Sequence, residues 1–293
     1  MKHLKTSNII GIGTAQLGED YGITNNKGKL SDLEFRKILA IARQSHIDTI
    51  DTATCYGDAE ERLGCLNLDD FKIITKLSSN SISLHDEISA SLIYLKKKQI
   101  YAALIHNSSI MFEKDGKKKY QELIELKKNK LIKKIGISIY SPDELDRLND
   151  LGFYFDLIQG PLNYLDQRLA SPKWIDYFTK NSIEFHARSI FLQGLLLYKA
   201  NDLPKDLNSK FYKLWPIIDN TIGKSGINRL KFFIDFVRSF KHVSKIIIGF
   251  DSHQYLKEII NLLNTDQHFK YEHLTGIDDE IINPSKWKLN HAL

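Results

Sequence analysis

The chain has 293 residues, of which 42% are hydrophobic and 26% charged, a composition typical of folded globular proteins and unlike that of disordered chains. Its 41 basic and 36 acidic side chains leave a formal net charge of only +5, and its lysine runs have no interleaved aromatic residues, which argues against nucleic-acid binding. No apolar stretch reaches the roughly 18 residues of a membrane span, and the first residues lack a signal-peptide pattern.

The two cysteines are too few for a secreted disulfide scaffold, and they lack the paired spacing of metal ligands. They are Cys55 and Cys65. A reducing compartment is the simplest setting for such a chain. We therefore expect a cytoplasmic protein without a membrane or nucleic-acid partner.

Eight short runs rich in β-branched residues follow one another along the chain, separated by segments with helical patterns. They are residues 9–14, 48–52, 72–76, 101–106, 132–138, 156–160, 183–189 and 245–250. Near-continuous apolar runs of this length are typical of parallel strands buried on both faces, and each interval has room for a crossover helix. The pattern predicts an α/β protein with one domain over residues 1–293, a (β/α)₈ TIM barrel.

Two of the intervening helices have clear start signals. Ser31 and Glu34, like Ser141 and Glu144, have the spacing of a capping box, and Pro142 suits a first helical position. Behind the first capping box, an apolar face is expected to pack on the barrel, formed by Phe35, Ile38, Leu39 and Ala42.

The longest interval separates the last two predicted strands. Within it, residues 198–216 contain prolines and charges and are predicted to form a functional loop, and residues 229–240 an amphipathic helix. The tail after Leu274 is expected to cover the barrel irregularly. In this fold, substrate specificity is set by variable loops, which here are expected to be residues 107–119, 164–173 and 198–216, with the tail that carries Trp287.

Seven of the eight runs end in a polar residue of a type used in catalysis, namely Thr14, Asp51, Lys76, His106, Ser138, Gln159 and Ser189. Taken singly, each has an ordinary structural explanation, such as capping, snorkelling or pairing with strand-end backbone. Because the carboxyl ends of all barrel strands open on one face, the seven side chains are expected to converge there. Their convergence predicts an active site.

The chemistry of this set points to proton transfer. A lysine in a partly apolar barrel mouth prefers a carboxylate partner, and Asp51 on the neighbouring strand is available for Lys76. A phenol beside that lysine is expected to have its pKa lowered from about 10 towards neutrality, and Tyr56 follows Asp51 closely enough to supply it. The ring N–H of His106 is expected to polarise a carbonyl oxygen at the same place.

Residues 47–64, IDTIDTATCYGDAEERLG, resemble the signature of the aldo-keto reductase family, in which aspartate, threonine and alanine precede a tyrosine-glycine pair and then a glutamate. The similarity extends in family order from about Gly11 to about Leu256. It includes the further strand ends at residues 74–76, 104–106, 135–138 and 159–163.

This resemblance implies a catalytic tetrad of Asp51, Tyr56, Lys76 and His106, with Tyr56 as the general acid of carbonyl reduction and no metal. Ser138 and Gln159 align with the residues that hold the nicotinamide carboxamide, and residues 188–196 with the loop over the pyrophosphate. The cofactor contacts predicted in full are Thr14, Ser138, Gln159, Arg188, Ser189, Gly194, Gly249, Asp251 and Ser252.

Three positions depart from the family pattern. Arg188 stands where an aromatic residue commonly stacks on the nicotinamide, and Ile139 stands where asparagine is common. Asp251 ends the eighth run where members that prefer NADPH commonly place basic and hydroxyl residues around the 2′-phosphate. Family habit favours NADP, and NAD stays possible.

The expected function is NAD(P)H-dependent reduction of a small aldehyde or ketone to an alcohol. Residues 13–28 and 188–198 resemble a bacterial branch associated with surface-polysaccharide sugars, which suggests a sugar-derived carbonyl. Two alternatives are open: a regulatory or sensor protein that binds the cofactor on the same barrel and, less favoured, an aldolase with Lys76 as Schiff-base nucleophile. The patterns do not distinguish a monomer from a homo-oligomer.

Overall fold

The computed structural model describes residues 7–22, 25, 27–78, 83–205, 207, 209–265, 269–272, 274 and 276–287. Eight parallel strands close into a barrel in chain order, with the last strand hydrogen-bonded to the first. They are β1 (Ile10–Gly13), β2 (Thr49–Asp51), β3 (Lys72–Leu77), β4 (Ile100–Ile105), β5 (Ile132–Ser138), β6 (Leu157–Pro161), β7 (Glu184–Arg188) and β8 (Val243–Gly249). Each lies within two residues of its predicted run. The (β/α)₈ barrel is therefore confirmed.

The helices surround the barrel. They are α1 (Ala15–Gly18), α2 (Asp32–Gln44), α3 (Ala59–Gly64), α4 (Leu84–Tyr94), α5 (Gly116–Lys128), α6 (Pro142–Asp150), α7 (Pro172–Lys180), α8 (Ser209–Ser225), α9 (Arg229–Arg238), α10 (His253–Leu263) and α11 (Asp279–Ile282). The predicted apolar face of α2 is buried, and side chains of this kind form the core between helices and strands. In the part of the chain described, no helix is both long and apolar enough to cross a membrane.

The period of two in the strands explains which side chains point into the barrel. A small apolar cluster separate from the main core consists of Ile74, Ala102, Leu104 and Leu157. Two residues beyond three of these cluster members, on β3, β6 and at the end of β4, lie Lys76, Gln159 and His106. The apolar cluster is thus a floor, and the polar strand ends form the next layer above it.

The two helix starts behave differently. Ser31 Oγ accepts from Glu34 N at 3.2 Å as predicted, but the Glu34 carboxylate accepts from the backbone N–H of His253 at 2.7 Å, where a capping box would have it accept from Ser31. At α6, Glu144 Oε1 accepts from Ser141 N at 2.9 Å, so that capping contact is confirmed.

The predicted loop over residues 198–216 is wrong from Ser209 onward, because α8 begins there and has Pro216 within it. The apolar side chains of Phe211, Trp215, Ile218 and Ile222 recur at helical spacing and are all buried. Burial of this stripe outweighs the cost of a proline inside a helix.

The amphipathic helix predicted next is confirmed as α9. The tail is only partly irregular, since α11 buries Ile281 and Ile282, and the Trp287 ring packs edge-on against Phe211 with centroids 5.6 Å apart. Residues 275 and 288–293 of the predicted cover lie outside the described residues.

Candidate active site

A buried ion pair occupies the centre of the barrel mouth. Lys76 Nζ pairs with Asp51 Oδ1, and the two side chains are 2% and 4% exposed. Lys76 Nζ also donates to the carbonyl oxygen of Thr52 at 3.1 Å, and Gln159 Nε2 donates to the second Asp51 oxygen at 2.7 Å. Both charges are therefore paired and hydrogen-bonded, as buried charges must be.

Tyr56 reaches this pair from the turn after β2. Its hydroxyl lies 3.5 Å from Lys76 Nζ, and its ring meets the His106 ring edge-on with centroids 5.9 Å apart. The turn requires two glycines: Gly57 has φ +48°, and a Cβ on Gly18 would overlap the Tyr56 carbonyl oxygen. The four predicted tetrad side chains are thus brought together at one end of the barrel.

The protonation of Tyr56 differs from the expectation. Burial, reinforced by the negative charge of Asp51, raises the pKa of Tyr56 well above 10, so the predicted lowering of this pKa by Lys76 is wrong. The reason is that burial and the Asp51 charge together outweigh the stabilisation that the Lys76 charge gives to a phenolate. The phenol is consequently fully protonated at neutral pH.

His106 is held neutral. Its backbone N–H donates to Leu77 O at 2.9 Å, and its ring Nδ1 lies 3.2 Å from Cys55 Sγ. Burial, with the charges of Lys76 and Arg188, lowers the pKa of His106 to about 4. Burial also raises the pKa of the Cys55 thiol, so the thiol keeps its proton and is able to donate it to Nδ1, an arrangement in which the ring proton resides on Nε2.

The signature glutamate supports the strand that carries Lys76. Glu60 is buried on α3, where its carboxylate accepts from Thr75 Oγ1 at 2.6 Å and from Ser91 Oγ at 3.0 Å. Because Thr75 directly precedes Lys76 on β3, Glu60 ties α3 and α4 to that strand. This contact gives the signature position a structural purpose.

The residues predicted to hold the nicotinamide carboxamide are adjacent. Ser138 and Gln159 are partners in the β5–β6 register, and both are almost fully buried. Thr14 is used differently, since its hydroxyl donates to the backbone oxygen of Asp51 at 3.0 Å and fixes the end of β2.

Arg188 lies beside this position, at the end of β7. Its Nη2 donates to Ile139 O at 2.9 Å, its Nη1 donates to Ser189 Oγ at 3.1 Å, and its guanidinium stacks on the Tyr140 ring at 4.2 Å. One face of the guanidinium is therefore covered by protein.

The turn after β7 has an unusual backbone. Ser189, Leu192, Gln193 and Gly194 have φ values of +56°, +50°, +53° and +90°. Such left-handed conformations are rare for residues with side chains and concentrate at ligand sites. The buried Asn163 holds the turn by donating from Nδ2 to Ser189 O at 3.1 Å.

Gln16 and Gly249 form a narrow cradle where β8 ends. The Gln16 amide lies against Gly249 so closely that a Cβ at position 249 would overlap it. Gln16 Oε1 is buried and, among the described residues, has no hydrogen-bond partner. A buried acceptor without a partner is costly, so the cradle fits a ligand that brings a donor. This observation and the turn after β7 fit a bound dinucleotide along β7, β8 and β1.

Asp251 and Ser252 make contacts away from the tetrad. Asp251 forms an ion pair with Lys27 at 3.0 Å and accepts from Ser252 Oγ at 3.0 Å. Ser252 also caps α10, and Glu34 occupies the same helix start through the His253 backbone N–H. Asp251 and Ser252, which were both predicted to contact the cofactor, are thus already paired with other protein groups.

Four site residues were missed from the sequence, namely Gln16, Tyr21, Lys27 and Cys55. Burial raises the pKa of Tyr21, and the charges of Arg188 and Lys76 act against this rise, so the Tyr21 hydroxyl lies within reach of the site's charges. Three of the four fall in residues 13–28, the segment matched to a bacterial branch. That match was the available signal, but it did not identify individual side chains.

The fold and the grouping of these four side chains fit a barrel oxidoreductase, and comparisons with known proteins agree. A profile described as the Aldo/keto reductase family matches residues 9–279. Since it spans nearly the whole chain, the chain belongs to the aldo-keto reductase family, as its resemblance predicted. The family uses nicotinamide cofactors and small carbonyl substrates.

Solved structures show the same fold. The apo form of the aldo-keto reductase AKR11C1 from Bacillus halodurans has a TM-score of 0.70 at 16% identity, covering 89% of this chain and 87% of that one. A Pseudomonas aeruginosa protein assigned to the aldo-keto reductases has a TM-score of 0.64 at 21% identity, covering 87% and 89%. The thermostable aldo-keto reductase Tm1743, solved with the inhibitor epalrestat, has a TM-score of 0.64 at 18% identity, covering 89% and 91%. A comparison with curated protein sequences gave no match.

Proposed function

We propose that the protein reduces an aldehyde or ketone to an alcohol with NAD(P)H, and that Tyr56 is the general acid. The observation that carries the proposal is the 3.5 Å approach of the Tyr56 hydroxyl to Lys76 Nζ, which is itself paired with Asp51. The nicotinamide cofactor, when bound, supplies the hydride. The side chains described above supply the proton and the orientation.

The raised pKa of Tyr56 suits a proton donor. The phenol holds its proton at every physiological pH, and it gives the proton up only when an adjacent oxygen becomes an alkoxide, a stronger base than a phenolate. Lys76 then faces a newly formed phenolate, whose charge it stabilises in a site of low dielectric. Tyr56 is therefore protonated before each reaction and loses its proton only to the substrate oxygen.

His106 orients the carbonyl group. With Nδ1 paired to the Cys55 thiol at 3.2 Å, Nε2–H is the ring donor left for a substrate oxygen. A neutral imidazole polarises the carbonyl without competing with Tyr56 as a proton source. Ser138, Gln159 and the turn from Ser189 to Gly194 are proposed to hold the cofactor.

The surroundings of α10 weigh against strict NADPH use. Two carboxylates, Asp251 and Glu34, lie at the start of this helix, where family members that prefer NADPH bind the 2′-phosphate. Lys27 offsets Asp251 only in part, because its side chain is 63% exposed. We propose that NADH is accepted alongside NADPH, although family habit favoured NADP.

The buried ion pair disfavours the aldolase alternative. A Schiff-base lysine must lose its proton to attack a carbonyl, but Lys76 is 2% exposed and paired with Asp51. The sensor alternative predicts cofactor binding without turnover. It is excluded by sustained NAD(P)H oxidation with any simple aldehyde.

Tyr56→Phe tests the assignment of the acid. We expect kcat for carbonyl reduction to fall by about 10²- to 10⁴-fold, the usual contribution of a general acid, because the ring stays while the proton donor is removed. Cofactor affinity, measured by quenching of protein fluorescence, is expected to be unchanged. More than a tenth of wild-type kcat in Tyr56→Phe would contradict the role. Tyr154→Phe is a suitable control, since Tyr154 is 62% exposed on the chain segment before β6.

A further inference from the structure

Arg188 is a half-buried cation with no carboxylate partner among the described residues. Six arginines are half-buried, and five of them, Arg43, Arg62, Arg168, Arg229 and Arg238, each pair with an aspartate. Within the described part of the chain, Arg188 contacts a carbonyl oxygen, a hydroxyl and an aromatic ring but no carboxylate. The chain therefore pairs its half-buried arginines with aspartates, and the exception stands at the active site.

The location of this charge is set by the barrel. Arg188 lies two residues beyond His186 on β7, so both point inward, and the hydrogen bond to Ile139 O places its guanidinium next to the end of β5. Its charge also lowers the pKa of His106. Arg188 is consequently close enough to act on the groups around the reacting carbonyl.

Within the described residues, no other charged group of this mouth pairs with the Arg188 guanidinium. Glu19 is half-buried nearby and acts through its charge on Tyr21 and Cys55. Lys76 is neutralised by Asp51, and His106 is uncharged at neutral pH. Among the described residues, the guanidinium thus has no paired charge although it lies in partly buried surroundings, where an anion gains more from pairing than it does in water.

The guanidinium also has the geometry to bind a carboxylate. It has five N–H donors, of which one is directed to Ile139 O and one to Ser189 Oγ. Stacking on Tyr140 fixes its plane, and a fixed planar fork recognises carboxylates through two parallel hydrogen bonds.

We propose that Arg188 binds a carboxylate of the substrate, so that the preferred substrates are carbonyl compounds with a carboxylate beside the carbonyl carbon, the 2-oxo acid class. This inference rests on the proposed function. The reaction balances as before: the carbonyl carbon gains a hydride from NAD(P)H, its oxygen gains the Tyr56 proton, and the carboxylate is unchanged.

The test compares phenylglyoxylate with its methyl ester, which have the same reacting ketone and differ in charge. Wild-type kcat/KM is expected to be higher for the acid. Arg188→Gln is expected to lose about 10- to 150-fold on the acid, the range for a hydrogen bond to a charged group, and little on the ester. Arg188→Lys keeps the charge but not the planar fork of donors. Its kcat/KM for the acid is expected to lie between those of the wild type and Arg188→Gln.

The alternative roles of Arg188 give different results. Equal losses on acid and ester, or weaker cofactor binding by fluorescence titration, would overturn the inference and assign Arg188 to the cofactor. A wild-type enzyme that reduces the ester as well as the acid would overturn the substrate class while leaving carbonyl reduction intact. Failure of the wild type with acids, esters and simple aldehydes alike would overturn the proposed function and this inference with it. Circular dichroism of each variant checks its folding.

Discussion

The centre of the barrel mouth and the start of α10 are both rich in charge, but they use it differently. In the centre, Asp51 and Lys76 are buried and fully paired. At α10, Asp251 and Lys27 are 41% and 63% exposed. The difference indicates that the centre tolerates little change, because buried charges need their partners, whereas the α10 end is free to vary in cofactor preference.

Lys76→Met is the strongest way to break the centre. It leaves the Asp51 carboxylate buried without its ion-pair partner, so we expect the free energy of unfolding to fall by about 3–5 kcal/mol. We also expect kcat to fall by about 10²-fold or more, since the phenolate of Tyr56 loses its support. Urea unfolding and steady-state kinetics measure the two effects.

A second variant separates stability from catalysis. Lys76→Met combined with Asp51→Asn removes both charges and is expected to recover most of the stability but none of the activity. Recovery of activity in the double variant would show that Lys76 acts only through folding.

Cys55→Ala is expected to have a moderate effect. The thiol lies 3.2 Å from His106 Nδ1, and in the proposed mechanism it donates there and keeps the ring proton on Nε2. Its loss is therefore expected to lower kcat/KM by about 3- to 10-fold, the cost of one ordinary hydrogen bond. Cys55→Ser, whose hydroxyl can donate, should restore most of the loss. Cys65→Ala is the matched control, because Cys65 is also free and exposed. Equal losses of kcat/KM in Cys55→Ala and Cys65→Ala would show that the contact between Cys55 and His106 does not support catalysis.

The burial of His106 predicts a pH profile. The pKa of His106 is lowered from 6.5 to about 4 by burial, so the ring stays neutral as pH falls from 8 to 5 and becomes charged only near pH 4. Wild-type kcat/KM is therefore expected to be level over that range and to fall as pH approaches 4. A fall centred near pH 6.5 would show that His106 is not desolvated.

Asp251→Ser is expected to have the smallest effect. Removing this carboxylate releases Lys27 and should raise kcat/KM for NADPH relative to NADH by about 2- to 5-fold, the scale of an exposed charge interaction. Asp69→Ser is a control, since Asp69 lies before β3 at the opposite end of the barrel. An unchanged ratio of kcat/KM for NADPH to that for NADH in Asp251→Ser would show that the adenosine end of the cofactor does not lie near the start of α10.

The sequence predicts the barrel, and the grouping of side chains at its mouth, for a physical reason. Each strand end is a local pattern, and closure of parallel strands alone brings Asp51, Lys76 and His106 to one face. Contacts made by loops are not encoded in this way. The ion pair of Lys27 with Asp251, and the approach of Gln16 to Gly249, join residues more than two hundred positions apart along a path that no local pattern specifies.

Two wrong predictions, the lowered pKa of Tyr56 and the loop over residues 198–216, also depend on contacts outside the local pattern. The pKa of Tyr56 depends on the balance between burial, Asp51 and Lys76, and only a structure shows that burial and Asp51 outweigh the lysine. The loop predicted at residues 198–216 contained the first half of α8, whose apolar stripe is completed only by Ile218 and Ile222 beyond it.

Transfer of deuterium from the cofactor tests the central claim most directly. The protein is incubated with a carbonyl compound and NADH or NADPH labelled at C4 of the nicotinamide on one face and then on the other, and the alcohol is analysed by mass spectrometry. We predict that one face gives an alcohol with one deuterium on the former carbonyl carbon and that the other gives none. An alcohol without deuterium from either labelled cofactor, or no alcohol from any of the carbonyl compounds, would contradict direct carbonyl reduction by this protein.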